Sequence, residues 1–481
     1  MQDQPEGWGA LLSGRNGIRS IALAGGVALH AINVFIATTI LPSVVADIGG
    51  LDYYAWSTTL FVAASIVGAA LSARLLLGFG PRGAYGAAAL IFGLGSMACA
   101  LAPSMPAMLA GRIVQGLGGG FLFALSYAMI RIVFAPRLWP RGMALVSGMW
   151  GVATLIGPAV GGIFAELGEW RLAFWSVVPA TALFGLMAVI VLPKREAAGN
   201  APPGLPLLQL VLLTFAILAV SLGSIRPGLA WTAAGLVAAI LLLGLIAGVE
   251  RRTASRLLPR GAFSLATPLG LAFASITLLS VAVTGAEVFV PLFLQVLHGQ
   301  SPLAAGYLAA AMAGGWTTGS IASSGLAPRA VARAMIVSPA ITFMGMALLA
   351  LLMPLAAGGW PFTACLVLGL ALAGLGVGYG WPHLLTRVLK VAPAAEQDLA
   401  SASITTVQLF ASALGAALAG MIVNLAGLTS PGGVAGTASA AFWLFAVLAL
   451  APLAAVLVAL RSARLASGAM DREPFIVSMK R

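Results

Sequence analysis

Charge is what this chain has least of. Asp, Glu, Lys and Arg make up 8% of its 481 residues, about a third of the share in a soluble globular protein. That scarcity excludes a water-soluble enzyme and a disordered or fibrous chain. Cysteine is nearly absent as well. Cys99 and Cys365 sit far apart in apolar segments, so neither a disulfide framework nor a metal-ligand spacing can be drawn from them. Histidine occurs three times, and no His cluster, nucleophile constellation or phosphate-binding motif stands out. A membrane enzyme or assembly platform therefore lacks support, and no motif calls for a cofactor. A hydrophilic pore stripe or charge ring is also missing, which weakens a passive channel.

What is present is apolar. Hydrophobic residues reach 60%, with 59 Gly and 27 Pro, and the mean hydropathy is +1.04. A membrane-crossing helix uses about 20 residues, so the length leaves room for roughly 12 to 16 of them. The fold class expected is an all-α polytopic membrane protein.

Apolar runs separated by charged or Pro/Gly punctuation give fourteen candidate spans. Six lie near 18–46, 54–77, 84–102, 105–134, 141–166 and 172–193. Two more follow at 206–224 and 229–249, and six close the chain at 263–297, 302–325, 330–356, 360–391, 399–427 and 437–461. The first run is too long for a signal-peptide core and no cleavage site closes it, so it is a retained span.

Loop charges test this layout. With both termini cytoplasmic, 22 of the 25 basic residues fall on the inner side. Only Arg171 and Arg226 fall outside, and Arg112 lies within a span. An odd error in the span count would have scattered them, because Lys and Arg collect in cytoplasmic loops. The net charge of +12 is thus topology, with anionic lipid at the cytoplasmic face as its neighbour and no nucleic acid. The spans divide into a six-span half (1–193), a two-span linker with a basic loop (194–262), a second six-span half (263–461) and a cytoplasmic tail (462–481). Both halves start on the same side, as in parallel-repeat transporters. Leu41-Pro42 and Val290-Pro291, near the ends of spans 1 and 9, form a faint internal echo.

Several motifs carry chemistry. Arg112 costs about 2.5–3.5 kcal/mol inside an apolar span, so it must face a cavity or a partner; a functional role and a structural Arg bonded to carbonyls both satisfy this. Glu287 is the single acid placed within the bilayer. Desolvation favours its protonated form, which suits a proton carrier, or else a neutral Glu bonded to a neighbouring helix. His30 and Asn33 share one helical face; His30 is either titratable or bonded to a carbonyl, and His383 reads as structural. In span 5, GVATLIGPAVGG puts Gly157, Pro158, Gly161 and Gly162 on one helix, a small-residue packing pattern with a proline kink.

These stretches, GRIVQGLGGG in span 4, GVATLIGPAVGG with EWRLAFWSVVP, FVPLFLQVLHGQSPLAAGYLAA, ERRTASRLLPRGAF and PAAEQDLASASITTVQLFASALGAALAG, together resemble the major facilitator superfamily and its fourteen-span drug:proton antiporter branch. The resemblance covers nearly the whole chain. It implies a major facilitator fold arranged 6+2+6, a monomer, and alternating-access export of a small amphiphilic molecule coupled to protons from a bacterial inner (cytoplasmic) membrane. Under it, Glu287, Arg112 and His30 couple or gate; Asn33, Gln115, Gln295, Tyr379 and Trp381 line a cavity; and Gly157, Pro158, Gly161 and Gly162 form the conformational motif. Two departures stand out. Asn33 occupies a place usually held by an acid. The loop after span 2, SARLLLGFGPRGAYG, has Ala73 for the first Gly and Leu77 for the Asp, while Gly80 and Arg82 remain. An ion-paired inner latch is therefore weakened or rebuilt, and uptake of a solute or siderophore-like compound with altered coupling is the alternative.

Overall fold

The structure, a computed structural model, describes residues 8–194, 204–225, 228–253 and 255–470. The basic residues Arg195, Arg226, Arg472, Lys480 and Arg481, and the tail from 471 onward, lie outside the described residues. Helices account for all the regular structure in that range. A short α1 (Trp8–Leu12) precedes α2 (Gly14–Ile48), α3 (Trp56–Ala100), α4 (Met105–Val133), α5 (Trp139–Glu166) and α6 (Trp170–Val191). Next come α7 (Leu207–Ile225), α8 (Leu229–Arg252), α9 (Pro268–His298), α10 (Pro302–Ser323) and α11 (Pro328–Leu352). The chain ends with α12 (Trp360–Val391), α13 (Gln397–Leu425), α14 (Gly433–Leu448) and α15 (Leu450–Met470).

Among the described residues, twelve helices are long and apolar enough to cross a membrane. The chain is an integral membrane protein. The twelve differ from the fourteen apolar runs at two places. Runs 54–77 and 84–102 form one continuous element, and α10 is not among the twelve. At 45 residues, α3 would extend about 68 Å as a straight helix, twice the roughly 30 Å of a hydrocarbon core. It is not straight. Gly80 takes φ 66° and ψ 176° within it, and Pro81 follows. Only glycine enters that region without strain, and the proline cannot donate to the preceding turn.

The chain forms two compact units, Met1–Ser221 with Val288–Ala310, and Leu222–Glu287 with Ala311–Arg481. In the first, α2 packs on α4, α5 and α6, and α3 packs on α4 and α6. In the second, α11 packs on α12, α14 and α15, and α13 packs on α12 and α14. Each unit contains the same close helix crossing. A Cβ on Gly116 or Gly120 of α4 would lie 2.9 Å from Phe61 Cα or 2.7 Å from Ser65 Cα of α3. A Cβ on Gly374 or Gly378 of α12 would lie 3.1 Å from Met312 Cα or 2.8 Å from Trp316 Cα of α10. Two glycines four residues apart meet two backbone positions four residues apart in both cases, so backbones touch where side chains would otherwise stand. This repeat is far stronger than the Leu-Pro and Val-Pro echo in the sequence.

Candidate functional site

The first unit buries a connected polar cluster between α2, α3 and α4. Arg112, Gln115 and Asn33 have at most 1% of their surface exposed. Arg112 NH1 donates to Gln115 Oε1 at 2.5 Å, and its Nε donates to the Ser57 carbonyl at 3.2 Å. Gln115 Nε2 in turn donates to Asn33 Oδ1 at 2.9 Å and to Ser96 Oγ at 2.8 Å. The Arg112 guanidinium carbon also lies 4.1 Å from the Phe61 ring centroid, which favours a cation over the ring face. Local sequence builds this geometry. Arg112 and Gln115 are three apart and so neighbours on α4, and Gly95 lets α3 come against the Gln115 backbone, which sets Ser96 beside the amide.

The guanidinium stays charged in proteins, yet Arg112 makes no ion pair among the described residues. Elsewhere, ion pairs join Arg171 to Asp47, and Arg256 and Arg260 to Glu396. One neutral amide, one carbonyl and the Phe61 ring hold the buried charge instead. Three polar atoms in or beside the cluster have no hydrogen-bond partner: Asn33 Nδ2, Ser57 Oγ and His30 Nδ1. His30 is enclosed by aromatics, with ring centroids 5.2 Å from Phe61, 5.3 Å from Phe123 and 6.1 Å from Trp150. Its Nδ1 faces Gly119, where a Cβ would come within 2.8 Å.

The span-5 motif occupies a second junction of the same unit. A Cβ on Gly161 would lie 3.1 Å from the Ile36 carbonyl, and one on Gly157 the same distance from that of Ile32, so this face of α5 seats on α2. Gly162 faces α10, where an added Cβ would meet Leu303 Cδ1 at 2.8 Å. A Cβ on Gly306 would in turn touch Pro158 Cβ at 3.0 Å. Around this contact Glu166 accepts from the Leu303 amide at 3.3 Å, Tyr307 donates to the Leu155 carbonyl at 3.2 Å, and Tyr54 stacks on Phe289 at 4.9 Å.

The remaining expected residues lie elsewhere. Glu287 on α9 is half-buried and makes no hydrogen bond or ion pair among the described residues. Gln295, also on α9 but in the first unit, has a buried amide nitrogen without a partner. Tyr379 and Trp381 are on α12, where Trp381 meets Trp316 edge-on at 4.9 Å. His383 shares a hydrogen bond of 3.1 Å with the Ser323 carbonyl, tying α12 to the end of α10. The missing acid near Leu77 is replaced by backbone. Arg82 Nε donates to the Leu192 carbonyl at 2.5 Å and its NH2 to that of Ile190 at 3.4 Å. A cation there answers the negative end of the α6 dipole. Sequence reasoning missed Ser57, Phe61 and Ser96 in the cluster and Phe123 beside His30. No spacing pattern marks them, because each is brought in from another helix.

The model of the Major Facilitator Superfamily matches residues 23–416. A probable multidrug-efflux transporter of Mycobacterium tuberculosis is 41% identical over 456 residues, covering 92% of this chain and 94% of that protein. Multidrug resistance protein 3 of Bacillus subtilis is 24% identical, covering 76% of this chain and 71% of its own length. Among solved structures, a peptide transporter POT in complex with alafosfalin superposes with a TM-score of 0.68 at 16% identity, covering 93% and 95% of the two chains. A bacterial homologue of the human lysosomal transporter Spinster gives 0.64 at 15% identity, covering 94% and 97%; at these identities the fold alone is shared. The chain belongs to the Major Facilitator Superfamily.

Proposed function

We propose that this protein is a proton-coupled exporter of small amphiphilic organic compounds, working by alternating access in a bacterial inner membrane. The observation that carries this reading is the α5 face of Gly157, Pro158, Gly161 and Gly162 against α2 and α10. It joins helices through small residues, so α5 and α10 can part without unlocking interdigitated side chains. The 41% identical relative named as a probable multidrug-efflux transporter supports the direction. Fourteen crossings arranged 6+2+6, with both termini cytoplasmic, follow if α3 crosses once on each side of Gly80 and α10 crosses as well. Glu287 is the proton carrier in this scheme, Arg112 and His30 gate, and Asn33, Gln115, Gln295, Tyr379 and Trp381 shape the path. Moving one proton through 100 mV supplies about 2.3 kcal/mol, enough to sustain a gradient of roughly 50-fold. The working unit is a monomer with anionic lipid at its basic face and no nucleic-acid partner.

Accumulation of a lipophilic cationic dye in inside-out vesicles under an imposed pH gradient tests this. Wild type should accumulate dye, and Glu287→Gln should not. Dye uptake indifferent to the gradient would contradict proton coupling. A second reading, uptake of a solute with altered coupling, is favoured by Asn33 and by the lack of a carboxylate partner for Arg112.

A further inference from the structure

A cavity of ≈ 410 Å³ opens in the first unit where the start of α2, the Gly80–Pro81 break of α3 and the end of α6 converge. Its volume is in the range of ligand pockets, about 300–1,000 Å³. Arg15, Arg19, Arg82 and Lys194 line it, and no acidic side chain does. Four like charges around one space repel unless an anion joins them. Two of them are also held in place. Arg82 is anchored on the carbonyls of Leu192 and Ile190, and Arg19 NH1 on that of Val133, the last residue of α4. A guanidinium has five N–H donors, so both retain unused ones. Arg19 Nε in particular is buried with no hydrogen-bond partner.

The other wall of the cavity is greasy. Ile18 and Ile190 line it and are 47% and 64% exposed, as side chains facing lipid tails would be. A preorganised set of Arg and Lys donors matches phosphate oxygens, and a basic pocket between helices at a membrane boundary suits a phospholipid headgroup. We propose that this cavity binds the phosphate headgroup of an anionic glycerophospholipid, with acyl chains running along Ile18 and Ile190. The lipid would join α2, α3 and α6 at the point where the missing Leu77-position acid leaves Arg82 without a carboxylate. This rests on the membrane-spanning arrangement and not on the direction or coupling of transport, so its failure would leave the export reading standing.

The test uses the full chain, purified in neutral detergent, stripped of lipid and titrated with phosphatidylglycerol or phosphatidylcholine. Native mass spectrometry counts retained lipid, and thermal unfolding reports stabilisation. Wild type should retain phosphatidylglycerol at least tenfold better than phosphatidylcholine. Each cation near a membrane surface contributes roughly fivefold to binding of anionic lipid. The exposed pair Arg15→Gln/Lys194→Gln should therefore bind phosphatidylglycerol about 30-fold more weakly. Arg251→Gln/Arg252→Gln, at the exposed end of α8, should bind like wild type. If the first pair fails to fold, each single variant should show about a fivefold loss. Equal retention by wild type and the Arg15/Lys194 variant overturns the proposal, as does equal retention of the two lipids. Inorganic phosphate added to lipid-free protein should stabilise it far less than phosphatidylglycerol does. Equal stabilisation would make this a free-phosphate site and overturn the lipid assignment.

Discussion

Replacing Gln115 with Leu removes the centre of the buried polar cluster while nearly preserving side-chain volume. Gln115 accepts from Arg112 and donates to Asn33 and Ser96, all three bonds fully buried. A hydrogen bond to a charged group contributes about 1.5–3 kcal/mol and a neutral one about 0.5–1.5 kcal/mol. Hydrogen bonds between membrane helices average lower, about 0.6 kcal/mol with a maximum near 1.7. Weighing the charged bond near the top of the membrane range and the other two near its mean, Gln115→Leu should cost about 3 kcal/mol. Arg112→Leu removes the charge itself, so the loss of Gln115 should then matter less. A double-mutant cycle on Arg112→Leu and Gln115→Leu should give a coupling of about 1.5–2 kcal/mol, measured by denaturant unfolding in mixed micelles. Effects that add within about 0.5 kcal/mol would refute the claim that Gln115 is what accommodates the buried charge.

Three further outcomes follow from the packing. Gly162→Val would press against Leu303, where even a Cβ comes within 2.8 Å of Cδ1; dye transport should fall at least tenfold while monodispersity on gel filtration is kept. Gly80→Ala forces a side chain into φ 66° and ψ 176°, at a cost of about 1–3 kcal/mol, visible as a lower unfolding midpoint. Arg82→Gln removes the cation at the α6 C-terminus and should cost about 0.3–1 kcal/mol at low salt, less as ionic strength rises.

The helices were the most legible part of the sequence, because a bilayer demands long apolar runs and those runs are visible residue by residue. Junctions were harder. Runs 54–77 and 84–102 belong to one element because Gly80 and Pro81 bend the backbone without ending the helix. The pairing of Gly116 and Gly120 with the Phe61 and Ser65 backbone, matched by Gly374 and Gly378 on Met312 and Trp316, is spelled out in glycine spacing but becomes a repeat only once the partners are known. The site was legible through residues that are costly in lipid. Arg112, Gln115 and Asn33 do meet. Ser57 and Ser96 carry no such signal, since a serine in an apolar helix can bond to its own backbone. Arg82 shows the limit of motif reasoning. Its usual acid is absent, yet two carbonyls at the end of α6 receive it, and backbone acceptors leave no trace in composition.

In the proposed scheme, an amphiphilic compound is exchanged for protons through Glu287. Proteoliposomes loaded with a pH-sensitive dye and challenged with an outward gradient of a lipophilic cation, with no imposed pH gradient, read this exchange directly. Wild type should acidify the lumen as the cation leaves, and Glu287→Gln should move the cation down its gradient without any pH change. Proton movement that persists unchanged in Glu287→Gln, or cation flux in wild type with no pH change or with lumenal alkalinisation, would contradict exchange through Glu287.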